Sequence, residues 1–223
     1  MSSNHKSEAI TSGYEKIHPA ILSDSLDDLG ISNQVMSIKM RPLDLSLVLL
    51  GSEITGEYME LPYLTEGINP YELEITLVDD LKKNDVAILA CGGSKQIAPW
   101  GSLLSTAAVS RKSAGCVTDG YVRDILEIQK LNFPDFSKGV APLDSKGRGQ
   151  IIKIDVPVIC DGVLVKPGDL ICGNADGVVS VPQEHEDDVL KKAFEKIKAE
   201  SSTLKELKSG AFLREVYDKY GVL

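Results

Sequence analysis

The chain has 223 residues and a formal net charge of −9, and 43% of its residues are hydrophobic. A chain of this length buries an adequate core without disulfides or a structural metal. The acidic balance disfavours a nucleic-acid-binding protein, because such a protein needs a basic face to neutralise phosphates. The four cysteines form no CxxC pair, which predicts free thiols in a reducing cytoplasm. No apolar run approaches the roughly 18 residues that a membrane span requires.

The first part of the chain predicts alternating helices and strands. Residues 1–12 are polar and are expected to be flexible. Two short apolar segments follow the first predicted helix: Met36 to Met40 alternates like a strand, and Leu45 to Leu50 fits either a strand or a helix. The other predicted elements are a helix over 17–29 closed by Gly30, a helix over 72–82, a strand over 85–90 that runs into Gly92 and Gly93, a helix over 100–113, a strand over 115–118 and a helix over 123–130.

The sequence changes character at residue 149. From 149 to 182, short β-branched segments alternate with turn residues, which predicts a β-rich unit. Three aspartates lie in these turns and are interpreted as turn formers: Asp161, Asp169 and Asp176. Residues 183–208 predict a charged helix, which a short tail follows. This order indicates a single α/β or α+β domain with a helical arm.

The segment from Trp100 to Asp124 contains the residues that we expect to carry chemistry. The guanidinium of Arg123 matches a carboxylate or an enediolate in bidentate geometry, and Asp124 could bind Mg²⁺ or Mn²⁺ with waters completing the shell. Such a metal polarises a keto oxygen while the arginine offsets the charge of an enolate. The alternative is an ion pair between Asp119 and Arg123, one turn apart, that only stabilises a helix start.

Backbone amides are the second expected feature of this segment. Two glycines, Gly92 and Gly93, end a strand and place amides close to whatever lies at the sheet edge. Residues 101–104 are predicted to open a helix, whose unpaired N–H groups suit a carboxylate. The alternative is that the glycines and small residues only allow the helix and the strand to pack closely. The absence of a GxGxxG pattern argues against a dinucleotide site.

Two blocks of the sequence resemble the family of the regulator of RNase E activity A (RraA-like). They are GG…APWGSLLSTAA…SAGCVTDGYVRD, within 92–124, and VKPGDLICGNADGVVSVP, at 165–182. The metabolic branch of this family includes the 4-hydroxy-4-methyl-2-oxoglutarate (4-carboxy-4-hydroxy-2-oxoadipate) aldolases. The resemblance implies an α/β fold: a swivelling β/β/α domain over 13–182, similar to phosphohistidine domains, and a C-terminal helical extension over 183–223.

The same resemblance implies a function and a set of site residues. The expected enzyme is a divalent-metal-dependent lyase that forms a pyruvate enolate from a small 2-oxo acid, as an aldolase, an oxaloacetate decarboxylase or both. Arg123 and Asp124 would be catalytic, and Asp124 would hold Mg²⁺ or Mn²⁺. The substrate-binding residues would be Gly101, Ser102, Leu103, Leu104 and Arg123, with the amides of Leu103 and Leu104 on the pyruvate carboxylate.

The resemblance also implies a subunit assembly, and the chain departs from the family at one site position. The resemblance implies a homotrimer or hexamer with sites at subunit interfaces, and Glu200 is the best match to a glutamate that a neighbouring subunit contributes. Aldolase members usually have an aspartate where this chain has Ser102. The alternative function in the same family is a non-catalytic protein that binds and regulates a ribonuclease.

Overall fold

The computed structural model describes residues 14–222, apart from the side chain of Glu15, so the predicted flexible segment 1–12 lies outside the described residues. The helices are α1 (Pro19–Asp27), α2 (Glu72–Asp80), α3 (Ser102–Ser110), α4 (Ile125–Lys130), α5 (Glu186–Lys208) and α6 (Leu213–Tyr220). The strands are β1 (Arg41–Pro42), β2 (Leu49–Glu60), β3 (Asp85–Ala90), β4 (Gly115–Thr118), β5 (Asp135–Ser137), β6 (Gly149–Ile154), β7 (Val158–Cys160), β8 (Val163–Val165), β9 (Leu170–Asn174) and β10 (Gly177–Val181).

One mixed sheet organises the molecule. Its strand order is β1-β5-β4-β3-β2-β9-β10, and β6 pairs with the second half of β2. Strands β2 to β5 are parallel, so α2, α3 and α4 serve as the crossover connections that parallel pairs need. The side chain of Arg41, in β1, donates a hydrogen bond to the carbonyl of Asp176 in the β9–β10 turn at 3.2 Å. The two ends of the sheet therefore meet, and the sheet forms a nearly closed, barrel-like layer.

Hydrophobic side chains pack on both faces of this sheet. One face packs against the crossover helices through Leu77, Ala108, Ile128, Leu89 and Cys116. The other face packs against the separate β7–β8 hairpin through Ile88, Val117, Phe136, Val163 and Val165. A third cluster joins α1 and α5 to β9 and β10 through Leu22, Leu26, Val179, Val189 and Ala193. The predicted α/β class is thus confirmed, with a C-terminal helix added to the sheet.

Most of the predicted elements are confirmed, and the short apolar segments show where periodicity misleads. Residues 85–90 and 115–118 form strands with the predicted bounds, and the ambiguous run becomes a strand that begins only at Leu49. The predicted strand from Met36 to Met40 is wrong: its middle forms a turn. The amide and hydroxyl of Ser37 both donate to Asp161 Oδ2, and Met40 N donates to the Ser37 carbonyl. Met36 and Met40 are nevertheless buried, which produced the alternating pattern.

Helix α5 packs on the domain with its first turns and contacts α6 with its later turns. Val189, Leu190 and Ala193 are buried against α1 and the sheet, whereas Thr203 is the buried residue of the later turns. The predicted boundary between 182 and 183 follows directly after β10. The division into a domain over 13–182 and an extension over 183–223 itself stays a prediction.

Candidate active site

The candidate site lies where the parallel strands β3 and β4 end at their carboxyl edges. The loops that follow these strands continue the pairing beyond the strands themselves, since Trp100 bridges Val122 and Arg123 N donates to the Trp100 carbonyl at 3.1 Å. This pairing places the start of α3 beside the Arg123–Asp124 segment. A pocket of about 300 Å³ opens between them and is also lined by α2 and by the loop that leads to β6. Topology therefore assembles the site at a place typical of α/β proteins.

Helix α3 begins at this pocket, with backbone amides that have no partner among the described residues. Ser105 N is the first amide of α3 to find a helical partner, the Gly101 carbonyl. The amides of Leu103 and Leu104 precede it and have no acceptor within the helix. Both residues line the pocket together with Gly101. A Cβ at Gly101 would lie 3.0 Å from Asp124 Oδ2 and 3.1 Å from Arg123 Cγ, so a larger residue here would press on both side chains.

Asp124 is exposed, and its carboxylate lies against the start of α3. Its backbone is left-handed, with φ of 60° and ψ of 33°, a conformation that aspartate tolerates better than most residues, and α4 begins immediately after it. Asp124 Oδ2 accepts hydrogen bonds from the amide of Ser102 at 3.2 Å and from its hydroxyl at 3.0 Å. Ser102 therefore fixes the carboxylate that the sequence proposes as a metal ligand.

Arg123 is oriented by groups that the sequence did not suggest. Its Nη1 lies 3.5 Å from Asp144 Oδ2 and 3.4 Å from the Leu143 carbonyl, and the Tyr71 hydroxyl donates to the same Asp144 oxygen at 2.9 Å. Burial acts to raise the pKa of Asp144, but hydrogen bonds from Tyr71 and Lys146, together with the Arg123 charge, bring it below its ordinary value. Asp144 therefore stays ionised and holds the guanidinium at the pocket.

The alternative ion pair between Asp119 and Arg123 is wrong. Asp119 is buried and accepts hydrogen bonds from the amides of Cys91 and Gly93, so it ties the end of β3 to the end of β4. The same contact corrects the expectation for the glycine pair, because the Gly93 amide is occupied by Asp119 and not left for a ligand. Both Gly92 and Gly93 have positive φ, of 61° and 70°, which this tight turn requires.

Glu74 is a pocket residue that the sequence reasoning missed. It lies on the inner face of α2, is 8% exposed, and lines the pocket. The hydroxyls of Tyr58 and Ser145 both donate to its Oε2. Burial raises the pKa of Glu74 to about 7. A signal was present in the sequence: Glu74 precedes the buried Leu77 and Val78 by three and four residues, which places an acid on the apolar face of a helix.

Comparison with known proteins identifies the family. A family model described as "RraA-like: Aldolase/RraA" matches residues 19–180. The chain belongs to the RraA-like family. A relative from Halalkalibacterium halodurans carries the provisional name 4-hydroxy-4-methyl-2-oxoglutarate aldolase and is 34% identical over 183 residues, which are 82% of this chain and 81% of that protein. Protein DlpA of Legionella pneumophila is 28% identical over 90% of this chain, and the chain spans only about a third of its length.

A solved structure of an RraA-like protein shares the fold. It is Streptomyces coelicolor RraAS2, described as an unusual member of the RNase ES inhibitor RraA protein family. The TM-score is 0.75 at 26% identity, over 84% of this chain and 91% of that one. The fold that the sequence resemblance implied is confirmed. Among residues 14–222, no helix is long and apolar enough to cross a membrane.

The donor set of the RraA-like pocket fits a hydrated divalent ion better than a protein cage. Within the described part of the chain, no group of three or more histidine, cysteine, aspartate or glutamate side chains is arranged to hold a metal. Asp124 offers hard carboxylate oxygen at the pocket, and Mg²⁺ typically keeps several waters beside one or two carboxylates. Asp124 with water and substrate oxygens is therefore a suitable ligand set for Mg²⁺ or Mn²⁺.

Glu200 does not join the pocket within the protomer. It lines a separate groove between α5 and the segment before α1, with Lys16, His18 and Leu204 among its neighbours. The structure therefore brings together Gly101, Ser102, Leu103, Leu104, Arg123 and Asp124, but not Glu200. The contribution of Glu200 to the site of a neighbouring subunit stays a prediction, as do the roles of the other residues.

Proposed function

We propose that this RraA-like protein is a divalent-metal-dependent carbon–carbon lyase that releases pyruvate from small 2-oxo acids. The observation that carries the proposal is the convergence of three groups on one pocket. These are the Arg123 guanidinium, the two unpaired amides at the start of α3, and the Asp124 carboxylate. Each group suits one part of the enolate that forms from a 2-oxo acid. The arginine can bind the enolate oxygens and the amides can bind the carboxylate. The aspartate can hold a cation beside the keto oxygen.

The charges of the pocket support the need for a cation. Arg123 is the single cationic side chain among its described lining residues, and Asp144 already pairs with it. Two further carboxyl groups, those of Glu74 and Asp124, line the same space. An anionic substrate is therefore poorly balanced by the side chains alone, and a divalent ion at Asp124 would correct the balance. A bound Mg²⁺ or Mn²⁺ would supply Lewis-acid polarisation of the keto oxygen.

The chain's own residues then have distinct tasks. The amides of Leu103 and Leu104 bind the carboxylate of the pyruvate portion at the positive end of α3. Arg123, held by Asp144 and the Leu143 carbonyl, stabilises the negative charge that develops as the enolate forms. Ser102 orients the Asp124 carboxylate through its amide and hydroxyl.

The names of relatives support the proposed substrate class. Relatives of this chain carry the provisional name 4-hydroxy-4-methyl-2-oxoglutarate aldolase at modest identity. We include in the proposal oxaloacetate decarboxylation, because loss of CO₂ from oxaloacetate leaves the same pyruvate enolate. We also propose a homotrimer or hexamer in which Glu200 of one subunit reaches the pocket of another.

A second candidate function is a non-catalytic regulator of a ribonuclease. Two observations favour it: Ser102 in place of the carboxylate usual in aldolase members, and the likeness to Streptomyces coelicolor RraAS2. Pyruvate release decides between the two functions. Oxaloacetate and 4-hydroxy-4-methyl-2-oxoglutarate are incubated with the protein and Mg²⁺ or Mn²⁺, beside a metal-only blank and an EDTA control. Release above the blank that EDTA removes supports the lyase; release at the blank rate with both acids contradicts it.

A further inference from the structure

Glu74 has the geometry of a proton-transferring group. It lies in the first turn of α2, in the wall of the pocket that also contains Arg123. Both of its hydrogen bonds converge on Oε2, one from the Tyr58 hydroxyl and one from the Ser145 hydroxyl at 3.4 Å. Among the described residues no protein group binds Oε1. Oε1 is also not among the buried side-chain oxygens that lack a partner. It is therefore the oxygen left accessible in the pocket wall.

The position of the proton follows from this asymmetry. Two hydroxyl donors on Oε2 leave little room for a further hydrogen there, so a protonated Glu74 carries its proton on Oε1. The O–H group then points toward the pocket, where it can reach a ligand. When the proton leaves, Tyr58 and Ser145 stabilise the resulting carboxylate. Glu74 can therefore exchange a proton with a bound molecule without rearranging its own contacts.

Two other buried carboxyls show that burial alone does not create this arrangement. The oxygens of Glu53 and Asp135 are buried with no hydrogen-bond partner in residues 14–222, and neither side chain lines the pocket. Because both side chains lie inside the core, neither can contact a substrate in the pocket. Glu74 differs because it combines burial, a hydrogen-bonded oxygen and an oxygen at the pocket.

The groups that face Glu74 support proton exchange near neutral pH. Burial is the main cause that raises its pKa to about 7, and the charge of Asp144 raises it further. The Tyr58 and Ser145 hydroxyls and the Arg123 charge oppose this rise. Tyr71 and Cys91, the other titratable groups nearby, have pKa values raised above their ordinary values and stay neutral. A carboxyl that is partly protonated at neutral pH suits an acid–base role.

We propose that Glu74 is the catalytic acid–base of this site and transfers the proton at C3 of the pyruvate portion of the substrate. This inference rests on the proposed lyase function. In aldol cleavage the Glu74 carboxylate accepts the proton of the C4 hydroxyl, the C3–C4 bond breaks, and its electron pair forms the enolate. The same carboxyl then gives that proton to C3, which becomes the methyl group of pyruvate. In decarboxylation CO₂ leaves, neutral Glu74 protonates C3, and solvent restores the proton.

Deuterium exchange into pyruvate tests the proton transfer without the rest of the reaction. The protein is incubated with pyruvate and Mg²⁺ in D₂O, and proton NMR follows the loss of the methyl signal. We expect Glu74→Gln to slow this exchange by about 100-fold or more, the range typical of a removed acid–base group. Its pyruvate Kd should change less than about threefold, since Arg123 and the α3 amides remain. Glu72→Gln is the matched control, because Glu72 is an exposed residue of the same helix, and it should exchange at the wild-type rate.

The pH profile of the exchange separates an acid–base role from a structural one. The exchange needs the Glu74 carboxylate, so its rate should rise with pH and level off above an inflection near 7. Tyr58→Phe removes a hydrogen bond that stabilises the carboxylate, so the inflection should move to higher pH. The inflection should stay in place when Mn²⁺ replaces Mg²⁺. An inflection that follows the metal and ignores Tyr58→Phe would overturn the proposal.

Failure of this inference differs from failure of the proposed function. If the wild-type protein releases pyruvate and exchanges its methyl protons while Glu74→Gln does both equally well, the function stands and Glu74 is not the acid–base. If the wild-type protein neither binds pyruvate, exchanges its protons nor releases it from either acid, both proposals are wrong.

Discussion

The pocket wall and the sheet interior both contain a buried carboxyl group, and the two are built in different ways. Glu74 in the wall receives two hydroxyl donors on one oxygen and has the other at the pocket. Asp135, on β5, is 1% exposed, and neither of its oxygens finds a partner among the described residues. Burial raises the pKa of Glu74 to about 7 and that of Asp135 to about 8.

The difference shows that a raised pKa does not identify a catalytic group. The proton of Asp135 has no route to a ligand in the pocket, so its titration changes only the free energy of unfolding. The proton of Glu74 faces the pocket, so its titration changes what the site can do. Variants of the pocket should therefore alter turnover with little effect on stability, and variants of Asp135 should do the reverse.

The largest effect on turnover is expected for Asp124→Ala. Removal of this carboxylate should bring pyruvate release down to the metal-only blank, because the proposed cation would lose its protein ligand. Calorimetric titration with Mn²⁺ should show the loss of binding directly. Stability should fall by only about 1 kcal/mol, the usual scale for a lost hydrogen bond at a helix start. Wild-type turnover in this variant would show that the Asp124 carboxylate is not needed for the reaction, which contradicts the proposed role of the pocket.

Arg123→Lys should lower kcat/KM for pyruvate release by about 100-fold or more, because an ammonium group cannot reproduce a bidentate guanidinium contact. The unfolding midpoint in urea should stay unchanged. Arg111→Lys is the matched control: Arg111 forms a partly exposed ion pair with Asp79, away from the pocket. Equal kcat/KM in the two variants would contradict the role of Arg123.

Asp135→Asn should change stability and leave turnover unchanged. The pKa of Asp135 is higher in the folded chain, about 8, than its ordinary value of 3.8. The folded state therefore holds the proton more tightly, and the stabilisation is complete below about pH 4 and is lost as pH rises toward 8. The loss is several kcal/mol in order of magnitude. Urea unfolding at pH 5 and pH 8 should show a smaller decline for Asp135→Asn than for the wild type.

The smallest effect is expected for Asp79→Asn, which removes one negative charge from the surface as Asp135→Asn does from the interior. Its ion pair with Arg111 is partly exposed, so the unfolding free energy should fall by less than about 1 kcal/mol. The difference between pH 5 and pH 8 should match the wild type. If Asp79→Asn and Asp135→Asn flatten the pH dependence equally, net charge and not burial explains the decline.

The sequence was sufficient for two of the four parallel strands, β3 and β4, and for one side of the pocket. Local patterns describe three short features, each made of neighbouring residues. They are the strand over 85–90, the helix start at 101–104 and the Arg123–Asp124 pair. Propensity and turn chemistry act over such distances. The strand predicted at Met36–Met40 failed because a side chain 124 positions away, Asp161, binds Ser37.

The opposite side of the pocket could not be predicted because distant segments build it. Tyr58 lies on β2. Tyr71 immediately precedes α2, and Glu74 lies in its first turn. Asp144 and Ser145 lie in the loop before β6. Their contacts span separations of 16 to 73 residues, so no local pattern records them. Glu74 gave a local signal, an acid on an apolar helix face, but its partners remained unknown without the fold.

The pocket thus has two walls of different origin, and this affects how the family can diverge. The wall that we propose to bind the pyruvate portion comes from the paired loops after β3 and β4, where Gly101 lies close to the Asp124 and Arg123 side chains. The facing wall comes from other segments: β2, the start of α2 and the loop before β6. Substitutions there that spare Glu74 and Asp144 can reshape the space beside Arg123 without removing the contacts that hold it. We expect new substrates to arise in evolution by changes at positions of the facing wall with no proposed role in the chemistry, such as Ile75, while Glu74, Asp144 and Arg123 are retained.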